Sequence, residues 1–266
     1  MIPILALGSD VEAVAKRGGK AISVCGLWGT KEAPMILPNG GGLQHDGVLV
    51  EWNVPPASTA GEFAFNIWNT QQYVNDYLKE LDLVAHYISS EEYEKSELAH
   101  PLAWISGCSA DYNAWWDGDQ NPTPKYTSRR RTVGGHVHIS WDRKNKIDKQ
   151  MIFKALRLMD LYLAIPSLFI DTDSFRRSLY GRAGAFRFKD YSSVATGVEY
   201  RTLGPWWVDP KYQGKAIEWV FSTTQFIFNN VSILPEPPPE VEDIINNHDL
   251  EGATTIMQHY GVTSFE

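Results

Sequence analysis

Apolar positions recur at helical spacing in three stretches of the 266-residue chain. Phe63, Ile67, Thr70, Val74, Tyr77 and Leu81 predict one face of a long helix, with Ser58 or Thr59 placed to cap its start. Asp148 opens a second, with Met151, Ala155, Leu158, Met159 and Tyr162 facing inward, and Pro166 is expected to end it. Ala216, Val220, Thr223 and Ile227 mark a third. Short strands fall between the helices, the clearest at Ala21–Cys25 and Val48–Val54. Strands and helices do not alternate regularly, which predicts an α+β domain rather than a doubly wound sheet. The run Pro235-Glu236-Pro237-Pro238-Pro239 reads as an extended, stiff linker. It divides a main body, residues 1–234, from a C-terminal helical tail, residues 235–266, whose helix lies near Val241–Tyr260.

Four segments share a chemical pattern. Side chains on a strand alternate between two faces, so residues two apart point the same way. Asp10 and Glu12 therefore share a face, as do Glu51 and Asn53, His136, His138 and Ser140, and Glu199 and Arg201. The opposite faces carry Val48, Val50, Trp52 and Val54, then Val137 and Ile139, then Val198 and Tyr200. Each segment alone is compatible with a half-exposed strand. Taken together, a face of Asp, Glu, Glu, His, His, Glu and Arg differs from a solvated face, which favours Lys, Thr and Ser. If the strands are neighbours, their carboxylates repel unless cations neutralise them. Carboxylates with an occasional imidazole suit magnesium or manganese better than zinc.

Charge and composition narrow the partners. A net charge of −8 argues against general affinity for nucleic-acid phosphates. There is no run of about 18 apolar residues to span a membrane. The apolar N-terminus lacks the basic start of a signal peptide, so a cytoplasmic protein is expected. Cys25 and Cys108 are far apart and form no CxxC pair, and they read as free, non-catalytic thiols. Cations concentrate instead in Ser174–Thr202, as Arg176, Arg177, Arg182, Arg187 and Arg201. Arginine's planar fork binds phosphate or carboxylate at two points, and the glycines around Arg182 let backbone and ligand approach closely. Arg131 is placed to join them through the neighbouring Gly134-Gly135-His136 segment, whose glycines also allow close approach.

The order of these motifs resembles the phage-type COOH–NH2 ligases, a branch of the glutamine synthetase and glutamate–cysteine ligase superfamily. The resemblance rests on Asp10-Val11-Glu12, Glu51-Trp52-Asn53, Gly134-Gly135-His136-Val137-His138, the arginine-rich stretch and Gly197-Val198-Glu199-Tyr200-Arg201. It also takes in Gly29–Pro34 with Lys31, Asp46, Pro55-Pro56 and Gly107–Asp111, and covers about residues 4–230. The first motif departs from the usual Asp-Pro-Glu-Phe, although both acids survive.

The resemblance implies a glutamine-synthetase-like catalytic domain: a curved antiparallel sheet with helices on its convex face and nucleotide on the concave one. It implies ATP and magnesium, or manganese, as cofactors, with small-molecule or peptide carboxylate and amine substrates. Metal ligands would be Asp10, Glu12, Glu51, His136 and Glu199. The nucleotide would be held by His138, Arg187, Arg201 and Lys31, and the reaction carried by Glu51, Arg182, Arg187 and Arg201, with Arg182 on the acid substrate. The location would be the host cytoplasm if the chain is phage-encoded.

Trp115, Trp116, Trp206 and Trp207 lie in loops that could close over an intermediate. Three alternatives compete with a ligase. A phosphotransferase of the same fold would make a stable phosphorylated product. A metal-dependent hydrolase would need more histidines near His136-x-His138 than His248 and His259 supply. A glycan-binding module would use the Trp pairs and leave the acidic pattern unexplained.

Overall fold

The computed structural model describes residues 1–104, 111–123 and 125–264. The Gly107–Ala110 part of the resemblance, with Cys108, lies outside the described residues. Six strands form the centre of one antiparallel sheet: β1 (Ala6–Arg17), β2 (Gly42–Asp46), β3 (Leu49–Asn53), β4 (Gly135–Asp142), β5 (Ala185–Asp190) and β6 (Ala195–Tyr200). Their spatial order is β2–β3–β1–β4–β6–β5. The main helices are α1 (Ala60–Glu80), α2 (Lys149–Met159), α3 (Gln213–Asn230), α4 (Glu240–Asn247) and α5 (Leu250–Tyr260).

The alternation read from the sequence sets the layers. Val11 and Ala13, Val50 and Trp52, Val137 and Ile139, and Val198 and Tyr200 are buried in one core with Phe63 and Ile67 of α1, Leu156 of α2 and Val220 of α3. Burying each such aliphatic side chain stabilises the fold by about 1.5–3 kcal/mol, so the helices are held to this face. The polar residues between them are left on the other face.

The helices differ in detail from the sequence expectation. In α1 the inward stripe is Phe63, Ile67, Thr70, Val74 and Leu78, because a 3.6-residue turn steps from 74 to 78. Leu81 is the C-cap and is 37% exposed. The Thr59 hydroxyl accepts from the Glu62 N–H at 3.2 Å, and Glu62 accepts in return from the Ser58 N–H at 2.8 Å, which closes the N-terminus. Asp148 caps α2 as expected. Pro166 does not end that helix. The chain passes through a π turn, Asp160–Ala164, where Ile165 donates to the Asp160 carbonyl, and Pro166 sits in the last turn, Ile165–Ser167. In α3 it is Thr224, not Thr223, that is buried, and its hydroxyl donates to the Val220 carbonyl at 2.7 Å.

Ala21–Cys25 is not a strand. Lys20–Ala21 pairs with Lys16–Arg17 across a Gly18-Gly19 turn in which both glycines have positive φ, and the chain then leaves the sheet. The C-terminal residues form two helices, α4 and α5, which pack against the body: Val241 and Ile245 are fully buried, and Asn246 Oδ1 accepts from the Ala183 N–H at 3.0 Å.

Candidate active site

The strand register brings all four motifs onto one face of the sheet. Asp10 lies between Asn53 of β3 and His136 of β4. Glu12 lies opposite Glu51, which in turn lies opposite Gln44 of β2. His138 lies opposite Glu199, and Glu199 opposite Arg187. The polar row therefore runs across six strands, and its residues come from segments up to about 190 positions apart because antiparallel pairing aligns them.

Asp10, His138 and Glu199 each offer one donor atom, and these atoms all lie within 4.8 Å of one another. His138 Nε2 is 3.2 Å from Asp10 Oδ2. Burial pushes the Asp10 carboxyl up, but the charge and hydrogen bond of His138, then the Lys189 charge, outweigh it and hold Asp10 below the usual carboxylate range. Two carboxylates and one imidazole match a magnesium or manganese ion, so the donor set fits the expected metal.

His136 occupies a closed ring of contacts. Its Nδ1 is 3.2 Å from Glu199 Oε1, and its Nε2 is 2.6 Å from the Tyr180 hydroxyl. Arg201 donates to both Glu199 and Tyr180. An ionised carboxylate only accepts, so Nδ1 carries the proton and Nε2 accepts from Tyr180. Burial, with the Arg201 charge beside it, holds His136 well below the ordinary histidine range, so the ring is neutral. As placed, both of its nitrogens are engaged, whereas His138 stands in the donor trio.

Glu12 and Glu51 form a second acidic group. Burial, then the nearby Asp46 charge, pushes Glu12 up to about 7, although the Gly134 N–H donates to its Oε2 at 2.6 Å. Burial, then Asp46, Asp10 and Glu12, pushes Glu51 well above its ordinary range. Asp46 itself is raised by burial, with Lys31 opposing. Lys31 lines a cavity of about 320 Å³ with Asp46, His45 and Glu51.

The arginines separate into two sets. Arg187 and Arg201 are buried at the site, and Arg201 Nε is also 3.4 Å from Asp111. Arg182 opens onto a cavity of about 290 Å³ shared with Asp111, Lys125 and Tyr180. Arg176 and Arg177 do not face the site. Arg176 is fully buried and donates to the carbonyls of Val133, Arg201, Thr202 and Leu203. Arg177 pairs with Asp171 at 3.6 Å. Arg131 likewise turns away, to the carbonyls of Ala103, Ser128 and Arg130, and lies over the Trp104 and Tyr126 rings.

The glycines make room for the protein itself. A Cβ on Gly134 would lie 2.3 Å from His136 Nε2, and one on Gly135 2.5 Å from the Gly204 carbonyl. A Cβ on Gly181, where φ is +68°, would lie 2.0 Å from the Arg176 guanidinium. Trp206 and Trp207 are core residues, with Trp207 stacked on Phe63 at 6.0 Å. Trp115 donates to Asp160 at 2.6 Å, while Trp116 is 37% exposed. Cys25 donates to the Gly47 carbonyl at 2.8 Å, and burial raises its thiol.

Two site residues had no assigned role in the sequence reading. Lys189 Nζ is 3.3 Å from Glu199 Oε2. It lies two positions after Arg187, so strand alternation carried the signal. Tyr180, which joins Arg201 to His136, left none.

The fold is shared with a solved ligase. Over 98% of its length the chain resembles a bifunctional glutathione synthetase from Pasteurella multocida, with a TM-score of 0.56 and 12% identity, and it spans 45% of that protein. The complex between the prokaryotic ubiquitin-like protein Pup and its ligase PafA matches at a TM-score of 0.37 and 8% identity, covering 96% of this chain and 58% of that one, too slight a likeness to define a common fold. No curated protein sequence matches. Residues 109–245, more than half of the chain, match the model of the phage phiEco32-like COOH.NH2 ligases, type 2. The chain belongs to that ligase family. Among the described residues no helix is long and apolar enough to cross a membrane.

Proposed function

We propose that this protein is an ATP- and magnesium-dependent carboxylate–amine ligase that forms an amide through an acyl phosphate. The observation that carries the reading is the meeting of Asp10, His138 and Glu199 on the same sheet face as Arg187, Lys189 and Arg201.

A carboxylate oxygen is a poor leaving group, so the acid must be activated first. One carboxylate oxygen attacks the γ-phosphorus of ATP, ADP leaves, and an acyl phosphate forms. The amine nitrogen then attacks the acyl carbon, phosphate departs with that oxygen, and the nitrogen loses a proton. A bound divalent cation supplies charge neutralisation for the phosphoryl oxygens. Asp10, His138 and Glu199 hold it, with Glu12 and Glu51 as the neighbouring acids. Arg187 and Arg201 hold the γ-phosphate and the acyl phosphate, where negative charge concentrates in both steps. His138 also meets the nucleotide phosphates, and Lys31 lies at the edge of the acidic cavity beside them. Arg182, in the cavity that Tyr180 also lines, holds the acid substrate. Glu12, pushed up to about 7, is the group suited to take the amine's proton near neutral pH, with Glu51 opposite it.

The test is a screen of carboxylates labelled with oxygen-18 against amines, with ATP and magnesium, reading ADP, product mass and phosphate mass together. An amide product with one labelled oxygen in the released phosphate supports the proposal. ADP with a stable phosphorylated product and no amide would replace it with a phosphotransferase.

A further inference from the structure

The hairpin formed by residues 111–121 carries a chain of polar side chains with no role in the reaction described above. Its two short strands, Tyr112–Asn113 and Asp119–Gln120, pair with each other, and the first also pairs with the start of β5. Asp111, Asn113 and Asn121 are all buried. The Asp111 carbonyl accepts from the Asn121 N–H at 2.9 Å, so the two residues lie side by side across the hairpin.

The direction of each bond in the chain is fixed from its far end. A backbone N–H only donates, so the Asn113 atom that meets the Trp115 N–H at 2.8 Å is the oxygen. Asn113 Nδ2 is then turned to Asn121 Oδ1 at 3.3 Å and to Glu242 Oε1 of α4 at 3.5 Å. Asn121 in turn presents its own Nδ2 to Asp111 Oδ1, at 2.9 Å. Asp111 Oδ2 remains for Arg201, whose Nε lies 3.4 Å away. Glu242, Asn113, Asn121 and Asp111 thus run in series from α4 to a guanidinium on the polar sheet face.

We propose that Asn121 is a positioning residue: by holding Asp111 it sets the angle at which Arg201 meets the γ-phosphoryl group. The inference rests on the nucleotide-dependent reading above. A guanidinium is planar, and its Nε and Nη groups sit on different edges of the plane. Arg201 gives its Nη groups to Glu199 and Tyr180 and its Nε edge to Asp111. A partner on the Nε edge fixes the plane of the fork, and a two-point contact with phosphate is lost when that plane turns. Asp111 holds the edge with one oxygen because Asn121 holds the other. Asp111 and Asn121 also line the Arg182 cavity, so the wall of the acid-substrate site and the phosphoryl-binding arginine form one hydrogen-bonded unit.

The experiment is calorimetry, with magnesium present, of ATP and of ADP against wild type, Asn121→Ala, Arg201→Lys and the double variant, read as the ratio of the two affinities. Arg201→Lys keeps the charge and loses the Nε edge. Asn121→Ala should weaken ATP by about tenfold, the scale of one hydrogen bond to a charged group. ADP, which has no γ-phosphate, should bind it as it binds wild type. In the Arg201→Lys background the same substitution should change nothing further, because the side chain it acts through is gone. A variant that only folds less well lowers the number of sites and leaves both affinities where they were. Asn121→Asp, which has the same shape, is the second variant. Above neutral pH it keeps an acceptor for Asn113 and loses the donor to Asp111, so it should lower the ratio in the wild-type background and not in Arg201→Lys. An unchanged ratio in either Asn121 variant, or the same loss in both backgrounds, overturns the proposal while leaving nucleotide use intact. An unchanged ratio in Arg201→Lys removes Arg201 from the γ-phosphate, and this proposal with it. If wild type binds neither nucleotide, the ligase reading fails and the positioning role with it.

Discussion

Glu12 and Glu51 lie directly opposite one another on β1 and β3, and each is more than nine-tenths buried. Like charges directly opposite on a sheet destabilise it. Burial and the neighbouring Asp46 lift both carboxyls, so without a cation this face favours the protonated acids.

Stability should therefore fall with rising pH in the absence of metal. The folded Glu12 binds its proton up to about 7, against 4.5 ordinarily, so between those values the native state holds more protons than the unfolded one. Linkage then gives stability that is full below about 4.5 and lost as pH rises through about 7. Asp160, pushed up to about 7 by burial against its hydrogen bonds from Tyr200, Trp115 and Gly184, adds a loss of the same sign. Thermal melts from pH 5 to 8 should show the decline, Glu12→Gln should flatten it, and magnesium should raise Tm more at pH 8 than at pH 5.

Glu51→Gln and Glu199→Gln should each fold, as judged by circular dichroism, and lose at least about 100-fold in turnover, the scale of removing a key electrostatic group. Both side chains sit on strands whose opposite faces are apolar and remain intact. Near-wild-type turnover in either variant would remove that residue from the site.

The two histidines should separate. His138→Ala should raise the magnesium concentration needed for half-maximal nucleotide binding, because His138 stands in the donor trio. His136→Ala should cut turnover while moving that concentration less, because Tyr180 and Glu199, which Arg201 also holds, lose their common partner. With His136 already neutral, the acid limb of the pH profile should follow Glu12 near pH 7 and should persist in His136→Ala. Magnesium titrations of both variants across pH check this.

Arg176 should prove structural. Arg176→Ala strands the buried carbonyls of Val133, Arg201 and Thr202, each costing about 1–3 kcal/mol when unpaired, while Leu203 keeps the Gly135 N–H, so the variant should lose much of its stability. Gly181→Ala should destabilise through the same residue, since its Cβ would meet the guanidinium. Denaturant melts measure both effects.

Much of the site was legible because period-two alternation is a local rule: it placed Asp10 with Glu12, His136 with His138, and Glu199 with Arg201. Which strands are neighbours is not local, so the meeting of His138 with Asp10 across β1 and with Glu199 opposite it on β6 emerged only from the structure. An arginine looks the same in sequence whether its fork meets a phosphate or a set of carbonyls, and so Arg176, Arg177 and Arg131 read like Arg187. Gly134 and Gly181 marked close approach correctly, but the groups that approach are His136 and Arg176. Helix faces slipped by one residue at Leu78 and Thr224, where 3.6-residue spacing leaves two adjacent positions nearly equivalent. At Ala21–Cys25 an apolar run of strand-like residues continues past the point where β1 can pair with it.

The central claim is that this sheet face binds a magnesium–nucleotide complex. Calorimetric titration of ATP into the wild-type protein, with and without magnesium, tests it most directly, with Asp10→Asn as the control. One nucleotide per chain should bind, binding should require the divalent cation, and the variant should lose that requirement or the binding itself. No heat and no rise in Tm with ATP and magnesium together, or identical binding by Asp10→Asn, would contradict it.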